Sequence, residues 1–296
     1  MDIRTIYTVV GGDRRAITMA NALAQGVERK IYGLFLERGG GLSPAVVQGE
    51  SMQQVLPQAQ VAVFPLPMAD SAHIEACLPL LKPGTLVLGG QIPQTLGQRM
   101  ERQGLCWVDY AVREEFAVNN AVLTAEAAVG IALEKRERSL FGASCLIVGY
   151  GRIAKALAKL LMAFGAQVQV AARKPADLAW IDIAGAAAVP MTRLNDSLPQ
   201  AEIVFNTVPA PLLGEQELVR LGPGALVIDL ASRPGGVDRD TAASMGIPVI
   251  WALGLPGKTA PVTAGEILAD TIRNIVEEKN TGGTPHTSPK ERRQRG

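Results

Sequence analysis

Gly149, Gly151 and Ala154, in the stretch CysLeuIleValGlyTyrGlyArgIleAla, form a bend between an apolar β-branched run and a segment with Leu157, Leu160 and Leu161 at helical spacing. The chemistry such a bend supports is anion binding. A helix start presents N–H groups without intrahelical partners together with the positive end of the peptide dipole. In this pattern Gly149 permits the tight turn, Gly151 lets a pyrophosphate approach the backbone, and Ala154 keeps helix and strand close. Strand, bend, helix and next strand follow at the distances a dinucleotide-binding unit needs, so a dinucleotide is the expected ligand, with Tyr150, Arg152 and Ile153 beside it. The next strand ends ValGlnValAlaAlaArgLysPro, and Ala172 stands where a carboxylate would hold the ribose 2′-hydroxyl of NAD. Arg173 and Lys174 follow, and two cations suit the 2′-phosphate of NADP, which is therefore the expected cofactor.

Three later loops, each after an apolar run, hold the remaining polar candidates. They are Asn206-Thr207-Val208-Pro209, then Asp229 to Gly236 with Ser232 and Arg233, then Ala252 to Gly265 with Lys258, Thr259 and Thr263. In open parallel sheets ligands lie beyond the C-terminal strand ends, so these loops are expected around the cofactor. Asn206, Thr207, Val208 and Pro209 are assigned to cofactor binding. His73 and His286 are the two histidines, one in the first half and one in the last residues, so an imidazole that exchanges an alcohol proton is not expected. Glu126, Asp229 and Lys258 are the alternative proton carriers, Asp229 being equally readable as a structural carboxylate at a strand end. Near the N-terminus GlyGlyAspArgArg, 11–15, is another glycine turn, in which Asp13 suits a helix N-cap and Arg14 could reach a ligand.

These residues need a scaffold, and the alternation of short apolar runs with helical patterns predicts parallel strands joined by crossover helices. Strands are expected at Ile6–Val10, Ile31–Leu36, Val61–Phe64, Thr85–Leu88 and Leu105–Val108, then at Cys145–Val148, Val168–Ala171, Ile203–Asn206, Leu226–Asp229 and Val249–Trp251. Helices fit Arg14–Gln25, Ser71–Leu81 and Ile92–Gln103 in the first half. The expected fold is α/β: two doubly wound parallel-sheet domains, the second an NADP-binding Rossmann domain, joined by a long helix. The domain plan is 1–118 for a substrate or partner domain, 119–141 for the connecting helix and 142–260 for the cofactor domain. A helix at 261–278 is expected to return to the first domain, ahead of a disordered tail at 279–296.

Composition agrees with that plan, since 296 residues is about twice the ~150 of one domain. The net charge is +1, but residues 279–296 carry five cations and one anion, which leaves the rest near −3 and argues against nucleic acid or an anionic membrane as partner. Cys77, Cys106 and Cys145 lack the paired spacing of zinc or thiol redox sites. The N-terminus has no signal-peptide pattern and no uninterrupted apolar run reaches the ~18 residues of a membrane span, so a cytoplasmic protein is expected.

Several stretches together resemble the A subunit of dipicolinate synthase: GlyGlyAspArgArg at 11–15, the long helix with Thr124 and Glu126, GlyTyrGlyArgIleAla at 149–154, AspLeuAlaSerArgProGlyGlyValAsp at 229–238 and GlyLeuProGlyLysThrAlaProValThrAlaGly at 254–265. Asn120, Thr124 and Glu126 match that family's AsnXxxXxxProThrXxxGluGly helix entry, whereas Leu123 and Ala127 replace its Pro and Gly. The resemblance implies an NADP-dependent enzyme that forms pyridine-2,6-dicarboxylate from a hydroxylated tetrahydrodipicolinate. It also implies a partner, the flavoprotein-like B subunit, in the mother cell of a sporulating bacterium. A small dicarboxylate substrate needs cations: Arg233 is the first choice for one acid group, and Lys258 or Arg14 for the other. Glu126 is the expected proton acceptor, with Ser232, Thr124 and Thr263 as hydrogen-bond donors. Self-association into a homo-oligomer stays open. The alternatives are an NADP dehydrogenase of another small acid and a non-redox NADP-binding scaffold or regulatory subunit.

Overall fold

The short apolar runs become parallel strands, seen here in a computed structural model that describes residues 5–25, 29–36, 41–70 and 73–282. The chain divides into two units, one of residues 1–119 with 260–296 and one of residues 120–259. In the first, Thr5–Val10 (β1), Arg29–Leu34 (β2), Val46–Gln48 (β3), Val61–Val63 (β4), Leu86–Gly89 (β5) and Cys106–Asp109 (β6) form a sheet of order β3-β2-β1-β4-β5-β6. In the second, Ser144–Val148 (β7), Gln167–Ala172 (β8), Ala187–Pro190 (β9), Ile203–Asn206 (β10), Leu226–Asp229 (β11) and Val249–Trp251 (β12) repeat the same topology as β9-β8-β7-β10-β11-β12. Every pairing is parallel. Both faces of each sheet are covered: in β7, Cys145 and Ile147 enter one apolar cluster and Leu146 and Val148 another. That burial on both faces is why these strands read as continuous apolar runs. The two doubly wound domains expected from the sequence are what the chain forms.

Two strands were not legible, β3 and β9. Both lie at a sheet edge, with one neighbouring strand and mostly exposed or half-buried residues, so neither carries a run of buried β-branched side chains. The segment expected as a helix over Ser71–Leu81 is instead a single α-turn, Ile74–Cys77, followed by a 3-10 turn, Leu78–Leu80, because Pro79 has no N–H to continue an α-ladder. Residues 71 and 72 of that segment lie outside the described residues.

The connecting helix is Glu114–Lys135, shifted toward the N-terminus from the expected 119–141. Glu114 and Glu115 in its first turn complement the dipole, and beyond Lys135 the Arg136 guanidinium pairs with Glu202 at 2.5 Å, taking the chain off the helix path. Phe116 packs in the first unit's core, while Ala125, Ala128, Val129 and Ala132 pack in the second's. By length and composition this helix is apolar enough to cross a membrane, with mean hydropathy 1.5 over its most apolar window, but 50% of that window is buried inside the protein.

The last helix, Pro261–Asn280, packs on Arg14–Leu23 in the first unit. Contact is close enough that a Cβ on Gly265 would meet the Arg15 carbonyl oxygen at 2.6 Å, which accounts for the glycine ending the 254–265 motif. Arg113 clamps the far end through two bonds to Glu278, of 2.5 and 2.6 Å. Lys279 and Asn280 therefore belong to the helix and not to the tail expected from 279; residues 283–296 of that tail lie outside the described residues.

Candidate functional site

The register of the second sheet sets Val148, Asn206, Asp229 and Trp251 side by side on four adjoining strands. Whatever follows each of them therefore emerges at the same edge, and at this edge the strand order reverses between β7 and β10. Out of β7 comes the glycine bend. Gly149 has φ +100, and a Cβ there would meet Thr207 Oγ1 and Val208 Cγ2, each at 2.6 Å, so both backbone conformation and packing require glycine. Thr207 closes the contact by donating its N–H and its hydroxyl to the Val148 carbonyl at 3.0 and 2.9 Å.

Gly151 differs. It is the N-cap of the helix Arg152–Ala163 with extended backbone (φ −83, ψ −169), and a Cβ there would meet nothing within 4 Å. Neither conformation nor protein packing calls for glycine, and no side chain caps the helix. The open space lies in front of the free N–H groups of the first turn, the place where a bulky anionic group would press against backbone. Ala154, fully buried, lets helix and strand approach. These residues fit the pyrophosphate of a dinucleotide.

Asn206 and Asp229 form a buried latch between the next two loops. Asn206 Nδ2 donates to Asp229 Oδ1 at 2.7 Å and to the Val208 carbonyl at 3.0 Å, while its Oδ1 accepts from Val208 N at 3.1 Å. Asp229 accepts in addition from Ala231 N (3.1 Å) and Gly236 N (2.9 Å). A Cβ on Gly236 would meet Asn206 Nδ2 at 2.3 Å. Both side chains are buried and engaged: Asn206 acts on loop 207–209 from behind, and Asp229 fastens the loop that follows β11. Asp229→Ala leaves two backbone N–H groups and the Asn206 amide short of an acceptor, so chemical denaturation is expected to show a loss of about 2 kcal/mol. An unchanged denaturation midpoint would remove the latch.

The other candidates divide between the second unit and the first. Arg173 and Lys174 are exposed directly after β8, and neither makes an ion pair among the described residues. Tyr150 is half-buried, with the Lys155 ammonium 5.0 Å from its ring centroid; burial and then the Asp177 carboxylate push its hydroxyl above the ordinary phenol range. Ser232 and Arg233 are exposed on the loop after β11. Lys258 is exposed on the short helix Leu255–Thr259 that follows β12. Glu126 is exposed on the connecting helix, whereas Thr124 is buried and its hydroxyl donates to the Asn120 carbonyl at 2.8 Å, already used as a donor within its own helix. Arg14, Asp13 and Thr263 belong to the first unit, where Asp13 caps its helix by accepting from Arg15 N. His73 is stacked on Phe35 in that same unit, with ring centroids 3.9 Å apart, and His286 lies outside the described residues.

Two groups at this edge were not singled out from the sequence. Trp251 ends β12 and donates its indole Nε1 to the Ala231 carbonyl at 3.0 Å, and Arg239 begins the helix Arg239–Ser244 with its guanidinium carbon 4.2 Å from the Trp251 ring centroid. An aromatic residue closing a strand in register with Asp229 was the available signal for the first; nothing local marks the second.

Comparison with known proteins agrees with this division. Residues 6–111 match the family model for the N-terminal domain of the dipicolinate synthase A subunit, and residues 116–244 match that of the D-isomer specific 2-hydroxyacid dehydrogenase, NAD binding domain. The dipicolinate synthase A subunit of Bacillus subtilis (strain 168) is 35% identical over 166 residues, a match that spans 56% of this chain and 56% of that protein, so little more than half of the curated relative's length is covered. Among solved structures, the dipicolinate synthase A subunit from Bacillus halodurans superposes with TM-score 0.84 at 25% identity, over 93% of this chain and 98% of that one. The corresponding polypeptide of dipicolinate synthase from Bacillus subtilis gives 0.83 at 25% identity, over 95% and 100%. The second unit thus carries a nicotinamide-cofactor domain of dehydrogenase type.

Proposed function

With this chain a relative of the dipicolinate synthase A subunit, we propose that it is an NADP-dependent oxidoreductase completing the aromatic ring of pyridine-2,6-dicarboxylate. In the reaction a hydroxylated tetrahydrodipicolinate loses water, and the resulting dihydro ring loses a hydride and a proton. Bound NADP⁺ supplies the hydride acceptor. The chain supplies position: the bend at 149–154 holds the phosphates, Arg173 and Lys174 the 2′-phosphate, and loop 207–209, set by Asn206, borders the nicotinamide end. Arg233 takes one substrate carboxylate as a bidentate partner, and a second cation, Lys258, takes the other. Ser232 donates a hydrogen bond nearby, and Glu126 accepts the ring proton. Thr124, its hydroxyl engaged within its helix, serves that helix and not the substrate.

The observation that carries this reading is the pairing of Gly151, a glycine the fold does not need, with open space before the helix start. The test is to give the purified chain NADP⁺ and the hydroxylated tetrahydrodipicolinate and to follow both reduced cofactor and dipicolinate. Formation of the two in equal amounts supports it. If dipicolinate is made at the full rate by a flavoprotein-like B subunit without this chain, the chain is a scaffold instead. The proposal places the reaction in the cytoplasm of a sporulating cell, where that partner would work. Replacing Arg173 and Lys174 together by serine is expected to weaken NADP binding about tenfold and leave NAD binding unchanged, since exposed charge-assisted contacts are worth on the order of 1 kcal/mol. Equal loss for both cofactors in calorimetry would contradict the assignment.

A further inference from the structure

The segment after β11 brings two guanidinium groups, those of Arg233 and Arg239, to the indole of Trp251, which ends β12. The carbon of the Arg239 guanidinium is 4.2 Å from the Trp251 ring centroid and that of Arg233 is 5.9 Å from it, so the two cations can be no further apart than these distances laid end to end. Neither makes an ion pair among the described residues. Asp238, which precedes Arg239, is turned to its own helix, accepting from Thr241 N at 3.1 Å and Thr241 Oγ1 at 2.7 Å. Like charges gathered on one ring repel, and the electron-rich indole face offsets that only in part. An arrangement of two cations without a carboxylate of the chain is one that an external anion with two negative groups completes.

The indole also fixes the pair. Trp251 is tied to the loop that bears Arg233 through Nε1 and the Ala231 carbonyl, and loop 230–236 is fastened below by Asp229. Both forks are therefore anchored to one rigid ring, which lowers the ordering cost of binding. The pair lies at β12 and β11, while Arg173 and Lys174 follow β8, three strands further along the sheet from β11. At about 4.8 Å per strand that is roughly 14 Å, which separates the pair from the cations assigned to the 2′-phosphate.

We propose that Arg239, held on Trp251 beside Arg233, is the second carboxylate-binding residue of the site and makes it selective for small dicarboxylates over monocarboxylates. This rests on the dicarboxylate reading above and replaces Lys258 in the second role. The test is calorimetric titration of the full chain, saturated with NADP⁺, with pyridine-2,6-dicarboxylate and with pyridine-2-carboxylate, for the wild type, Arg239→Gln and Arg239→Lys. Loss of a charged hydrogen-bonded pair corresponds to roughly a ten- to hundredfold change in affinity. Arg239→Gln is expected to weaken the diacid by that factor, to leave the monoacid within about twofold, and to leave the NADP⁺ titration as it was, with Arg239→Lys in between. Diacid binding unaffected by Arg239→Gln, or both acids weakened equally, or NADP⁺ binding lost with them, overturns the role of Arg239 while leaving the dicarboxylate reading in place. A wild-type protein that binds NADP⁺ but neither acid overturns both.

Discussion

Gly151→Asp is expected to abolish NADP binding, by a factor of about a hundred or more, in a protein that is at least as stable as the parent. The fold itself favours the change. Gly151 is a helix N-cap with extended backbone that any residue adopts, an added Cβ meets nothing within 4 Å, and aspartate is among the best N-cap residues. Its carboxylate would accept from the free N–H groups of the first turn and oppose the cofactor phosphates, and like charges at contact cost several kcal/mol. Local stability and binding thus pull in opposite directions at one residue, which makes the result easy to interpret. Thermal unfolding should show a midpoint equal to or above the parent's, and calorimetry should show no heat with NADP⁺ or NADPH. Cofactor binding retained at parental affinity would mean that the space before the helix is not where the phosphates sit.

Arg233→Ala carries the second large effect. Its guanidinium is exposed, makes no ion pair among the described residues and lies 5.9 Å from the Trp251 ring centroid, on a loop that Asp229 and the Trp251 Nε1 bond to Ala231 hold without it, so its removal costs the fold little. Once a substrate carboxylate covers it, the same group becomes half of a desolvated charge pair, for which truncation of one partner costs about 2–4 kcal/mol. Expressed in kcat/KM with the hydroxylated tetrahydrodipicolinate, this is roughly a thirty- to thousandfold loss, with NADP affinity kept. Turnover equal to that of the parent would exclude Arg233 from the substrate site. A drop in NADP affinity of the same size would instead point to a loop that has collapsed, which Asp229→Ala would reproduce.

The match of residues 116–244 to a 2-hydroxyacid dehydrogenase cofactor domain concerns the dinucleotide end of the site. It does not supply an imidazole: His73 is in the other unit, stacked on Phe35, and the second unit contains no histidine. The proton acceptor proposed above, Glu126, is therefore not a residue type that the dehydrogenase match supplies.

The amino-acid sequence by itself determined the parts of this protein that are local. Buried parallel strands are continuous apolar runs, and a strand that enters a helix through Gly149 and Gly151 needs no distant partner to be recognised, so ten of the twelve strands among the described residues and the glycine bend could be located. What depends on strands far apart in the chain could not be. Only the pairing register aligns Val148, Asn206, Asp229 and Trp251, joins Asn206 to Asp229, and brings Trp251 to where Arg239 lies over it. The edge strands β3 and β9 and the true ends of the helix Glu114–Lys135 were likewise decided by tertiary structure, since one-sided pairing and an ion pair such as Arg136 with Glu202 leave no periodic trace. Hydrophobic periodicity encodes how deeply a segment is buried, whereas the identity of the groups that meet is set by backbone hydrogen bonds between segments that are neighbours only after folding.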